Sequence, residues 1–85
     1  MEKLIGRVTH YFNKIGVAVI EITDDELNVG DTIHIKGHTT DFKQVVNSMQ
    51  IEHKAVEKVK KGESIGMKVD SVVHEKDQVY KIIPE

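Results

Sequence analysis

The chain has 85 residues, with 12 basic and 14 acidic side chains and a formal charge of −2 when His is neutral. The absence of Cys excludes disulfides, thiol nucleophiles, Cys-ligated zinc and iron–sulfur sites. Balanced charge, carried by 11 Lys and the single Arg7, argues against binding dominated by counterion release, and no DNA partner is expected.

Twelve Val and ten Ile stand against two Leu and two Ala. Branched Cβ atoms restrict χ1 in a helix and pack well on a pleated surface, so the expected class is all-β, in a single domain over residues 1–85. In chain order, segment 3–12 alternates loosely, with Leu4, Val8 and Phe12 in one phase. Asn13-Lys14 separates it from 15–22, and the pair reads as a hairpin. Positions 15–20 are apolar throughout apart from Gly16, which predicts burial on both faces. Residues 23–31 form a connection ending at Gly30, where a positive φ carries no Cβ penalty.

Segment 32–36 alternates cleanly: Ile33 and Ile35 point inward, and Thr32, His34 and Lys36 outward. Segment 42–51 holds Phe42, Val45, Val46, Met49 and Ile51 in no single phase, which predicts a bulge near Asn47-Ser48. Ala55, Val56 and Val59 have helical spacing, but over one turn only. After a turn at 61–63, Ile65, Met67 and Val69 alternate with polar positions and Gly66. A last strand spans about 78–83. Six or seven short strands suit a barrel, because closure removes exposed edges.

No apolar run approaches ~18 residues, and the start has no long apolar stretch of a secretory signal, so no membrane association and a cytoplasmic location are expected. His10, His34, His38, His53 and His74 lack a metal-binding spacing, and neither a metal nor a cofactor is expected. Ser48, Ser64 and Ser71 sit in no nucleophile elbow, and most carboxylates lie beside Lys, so no catalytic residue is assigned. Lys54, Lys58, Lys60 and Lys61 form the one local positive field. Tyr11 and Phe12 are adjacent and point to opposite faces of a strand; with Phe42, Met49 and Tyr80 they are candidates for a shallow docking patch.

Gly6-Arg7-Val8, the run Leu27 to Ile33 leading into Ile35-Lys36-Gly37, Val46 to Gln50, Glu52 to Lys58, and Lys61 to Val69 recur in a familiar order. Over roughly residues 4–83 this resembles the second domain of translational GTPases such as elongation factor Tu and elongation factor one-alpha. The resemblance implies a closed six- or seven-stranded antiparallel Greek-key β-barrel, with 52–61 a strand end and loop. It also implies a non-enzymatic binding module for tRNA, rRNA or a translation- or GTPase-related protein. The residues matching or flanking the family's tRNA-end region are Met49, Gln50, Glu52, His53, Gly62 and Ser64, joined by Lys58, Lys60 and Lys61. No phosphate loop is present, so no GTPase is encoded. Similar barrels occur at the carboxy end of collagenase-like peptidases, and the longer 9–26 hairpin looks closer to that form. The alternative is therefore an interaction subunit docking on a separate GTPase or peptidase-like chain without RNA contact.

Overall fold

The computed structural model describes residues 1–84. They form ten strands and no helix: β1 (Glu2–Phe12), β2 (Val17–Ile22), β3 (Glu26–Asn28), β4 (Thr32–Lys36), β5 (Asp41–Val45), β6 (Met49–Ile51), β7 (Lys54–Val56), β8 (Lys58–Lys60), β9 (Ser64–Lys68) and β10 (Gln78–Ile82). Eight of them make one antiparallel sheet in the order β5-β4-β10-β1-β2-β9-β6-β7, and β3 pairs with β8 in a separate ribbon. The weak helical spacing at 55–59 is overridden: its residues fall in the two short strands β7 and β8. The bulge expected near 47–48 is instead a break between β5 and β6.

Alternation decides which side chains turn inward. On β2, Ala18, Ile20 and Ile22 are buried while Val17, Val19 and Glu21 remain half-exposed on the other face. Ile33 and Ile35 on β4 and Ile65 and Met67 on β9 follow the same rule. All meet Ile5, Val8, Leu27, Val59 and Val79 in one cluster. A single sheet whose inner face forms one cluster has to curl round itself. Register shifts between Leu4 and Gly6 and between Val8 and His10 put two irregularities into the long central strand β1, and such bulges bend and twist a strand.

The pairing shows an all-β fold, and by itself it does not show the closure of the barrel expected from the sequence. Among the described residues no ladder joins the terminal strands β5 and β7. The backbone after β5 is already committed elsewhere: Val46 N–H donates to Asp31 O at 2.8 Å, and Val46 O accepts from Gly30 N–H at 2.9 Å. A side chain of β5 reaches instead to the end of β9. Gln44, only 6% exposed, donates from Nε2 to Lys68 O at 3.0 Å and accepts at Oε1 from Asp70 N–H at 2.8 Å. Its carboxamide stands in for a peptide unit where the ladder is missing.

His34 lies outside the apolar core, as its phase predicts, but it is not the surface imidazole the sequence suggests, since it is only 8% exposed. Its Nδ1 meets Glu2 Oε2 at 2.8 Å, and its Nε2 meets Asp41 Oδ1. With both ring nitrogens facing carboxylates, the protonated ring is the form that satisfies both. Hydrogen bonds to Asp41 and then Glu2 raise the His34 pKa above its ordinary 6.5. The same bonds lower Glu2 and Asp41 below their ordinary 4.5 and 3.8. The His34 contribution to stability is fully present below pH 6.5 and is lost as pH rises through its raised folded value. The carboxylate contribution is present above 4.5 and is lost as pH falls through the lowered values. The melting-temperature difference between wild type and His34→Gln is therefore expected to peak between pH 4.5 and 6.5 and to shrink on both sides. A difference that does not change with pH would rule out this charge state.

Candidate functional site

A shallow concave surface with an apolar wall lies on the outer face of β1, β2, β9 and β6. It starts at the β1–β2 hairpin. Phe12 O accepts from both Ile15 N–H and Gly16 N–H, and Gly16 takes φ 67 to bring the chain back. That loop leaves Ile15 61% and Phe12 46% exposed. The Phe12 ring leans on the His10 ring, with centroids 4.6 Å apart.

Register then sets a row across the sheet. His10 pairs with Val19, Val19 with Gly66, Gly66 with Gln50, and Gln50 with Ala55. Gly66 has no side chain in the middle of this row, and the space becomes a groove of about 310 Å³. Phe12, Ile15, Val17 and Val19 form its apolar wall, and Gln50, Glu52, His53 and Ser64 its polar rim. Consecutive apolar positions at 15–20 thus reflect one face in the core and one in a groove wall, rather than burial on both faces.

The rim is held in a costly conformation. Glu52 and His53 link β6 to β7 with φ of 50° and 66°. Two consecutive positive φ values in a two-residue hairpin loop are the territory of Asn-Gly. For Glu and His each costs on the order of 1 kcal/mol or more. Among the described residues the side chains of Gln50, Glu52, His53 and Ser64 have no hydrogen-bond or ion-pair partner, so nothing within the chain uses them.

The sequence-derived site residues divide into two groups. Gln50, Glu52, His53 and Ser64 come together on the groove. Met49 points into the core and is 1% exposed. Lys58, Lys60, Lys61 and Gly62 do not line the groove. Lys58 sits on the β3–β8 ribbon, its Nζ 3.1 Å from Glu26, and Gly62 serves a turn at φ 95°. Of the aromatic candidates, Tyr11 and Phe42 pack against the core, and Tyr80 lies under the Lys36 ammonium. Phe12 alone of them reaches the groove. Gly66, singled out in the sequence with Gly62 as a place of close backbone approach, lies on the groove, whereas Ile15, Val17 and Val19 were not among the sequence candidates. No group of three or more His, Asp or Glu is placed to hold a metal ion among the described residues.

This is an all-β domain with a shallow, apolar-walled groove, and comparison with known proteins shows where its likeness lies. No family model matches the chain. It is 52% identical over 77 residues to an uncharacterised protease of Methanocaldococcus jannaschii, covering 89% of this chain and 19% of the protease. It is 38% identical over 78 residues to a collagenase of Porphyromonas gingivalis, covering 91% of this chain and 22% of the collagenase. The chain therefore spans about a fifth of the length of these relatives. A crystal structure of the C-terminal domain of a U32 peptidase from Geobacillus thermoleovorans superposes with a TM-score of 0.87, at 18% identity, over 95% of this chain and 93% of that one. Its selenomethionine variant gives 0.85 over 91% and 96%. The fold is the same.

These findings correct the resemblance to elongation factors. The likeness runs to chains named as proteases and collagenases, and the tRNA, rRNA and translational-GTPase partners fall with the earlier resemblance. The physical reason is that the shared landmarks are short alternating strands and the glycine turns that join them. Gly30 and Gly62 take φ of 99° and 95°, and any small antiparallel fold needs glycine at such corners. They report the fold and leave the family open. The long 9–26 hairpin, whose tip walls the groove, was the feature that pointed toward peptidases.

Proposed function

We propose that the chain is a non-enzymatic accessory domain that docks on a peptidase-like catalytic chain. The observation that carries this reading is the 52% identity to a segment that makes up only 19% of a protease. A segment of that size beside a much larger remainder is read as a companion of the catalytic part. Its own residues support the same reading: the groove rim offers a carboxylate, an imidazole and a hydroxyl without any hydrogen bond that would activate one by another.

Sedimentation velocity tests the docking. The chain is mixed with the remaining four-fifths of the Methanocaldococcus jannaschii protease, produced without its matching segment. A faster boundary containing both components is expected at micromolar concentration. Two independent boundaries at tens of micromolar would contradict docking. Incubated alone with casein or gelatin, the chain is expected to release no peptides; release abolished by Glu52→Gln or His53→Ala would make it an enzyme.

A further inference from the structure

We infer that the groove over Gly66 binds an extended polypeptide segment, with one apolar side chain in the hollow and a basic residue beside it against Glu52. The inference goes beyond the docking reading and does not depend on it, because the occupant is a free, unfolded segment rather than the catalytic chain.

Three observations choose this occupant. The first is size. The groove holds about 310 Å³, and its strongly exposed apolar side chains are Phe12 and Ile15. A stable interface with a folded partner buries roughly 800 Å² on each side, whereas this patch suits a slender chain with one anchoring side chain. The second is hydrogen bonding. The Gln50 carboxamide and the Ser64 hydroxyl flank the hollow, and neither has a partner within the chain. Each donates and accepts, as does every peptide unit of an extended segment.

The third is charge. Glu52 lies at one end of the groove. Lys14 lies at the other, in an adjoining hollow of about 270 Å³ shared with Phe12 and Ile15. Neither has an ion-pair partner among the described residues. A cationic side chain is favoured at the Glu52 end and disfavoured at the Lys14 end, which gives the occupant a direction. The two-residue turn at 52–53 places the Glu52 backbone at the rim.

The test is an NMR titration of the isotope-labelled chain with the blocked peptide acetyl-Gly-Ser-Gly-Leu-Lys-Gly-Ser-Gly-amide. Amide shifts are expected to be confined to residues 12–19, 50–53 and 64–66, saturating below about 1 mM. Gly66→Val fills the hollow. A Cβ at Gly66 has Val17 Cγ1 at 3.6 Å as its nearest neighbour, an ordinary contact, so the variant keeps its melting temperature and binds at least about tenfold more weakly. Gly66→Ala gives an intermediate loss and guards against misfolding of the valine variant. Glu52→Gln removes the preference for this peptide over the one with Glu in place of Lys. Absence of shifts at 1 mM, or an unchanged response in a folded Gly66→Val, overturns the inference. Movement of the same resonances on diluting the chain alone overturns it in favour of a second copy as occupant.

Discussion

Replacing Gly6 by Ala is expected to destabilise the fold by about 3 kcal/mol, at the upper end of overpacking effects. Gly6 is paired on both sides, with Val79 of β10 and with Ile22 of β2. A Cβ there would sit 2.4 Å from the Glu21 carbonyl oxygen and 3.3 Å from its carbon. Those atoms belong to the backbone, so no side chain can rotate out of the way. Relief requires β1 and β2 to separate where β1 already changes register. The small entropic gain of Ala over Gly, roughly 0.4–1 kcal/mol, does not offset this. Each kcal/mol lowers the melting temperature of a domain this size by about 4–8 °C. Thermal unfolding followed by circular dichroism measures it; a shift of a few degrees or less would mean that β1 and β2 adjust freely.

Gln44→Leu is expected to cost about 2–4 kcal/mol, although leucine is more apolar and of similar length. The substitution leaves Lys68 C=O and Asp70 N–H without their partner, and an unsatisfied buried backbone group costs roughly 1–3 kcal/mol. Gln44→Glu keeps the acceptor for Asp70 N–H but buries a carboxylate oxygen against Lys68 O, so at neutral pH it should cost at least as much as Gln44→Leu. Urea denaturation gives the order, and hydrogen exchange at the Asp70 amide gives the cause. If Gln44→Leu were as stable as wild type, the seam between β5 and the end of β9 would be held by apolar contact alone.

The class of fold was legible in the sequence because it depends on local features. Ile33, Ile35, Ile65 and Met67 lie in strict alternation, and the structure buries all four. The site was legible in part. Gln50, Glu52, His53 and Ser64 were candidates and meet on one groove, but the wall formed by Ile15, Val17 and Val19 was hidden. An apolar residue facing a groove and one facing the core look the same in a sequence. The His34 contacts were illegible for a different reason. Its partners lie 32 residues upstream and 7 downstream, and they are brought together only by the strand order β5-β4-β10-β1. Gln44 was unreadable in the same way, since its partners are 24 and 26 residues away.

The partner was misread because its landmarks were short strands and the corners between them. Turn glycines and alternating strands recur wherever a short sheet must curl, and they carry no information about what the outer face meets. The features those landmarks leave out lie on that outer face: an exposed hairpin tip, a glycine opposite a glutamine, and a Glu-His turn where Asn-Gly would be cheaper.

Docking is tested most directly by hydrogen exchange of the chain's own amides, alone and with the remaining four-fifths of the Methanocaldococcus jannaschii protease. Docking predicts a contiguous set of surface amides whose exchange slows only in the mixture, while amides of the buried strands are unchanged. Identical exchange at every amide in the two samples, at concentrations of tens of micromolar, would contradict it.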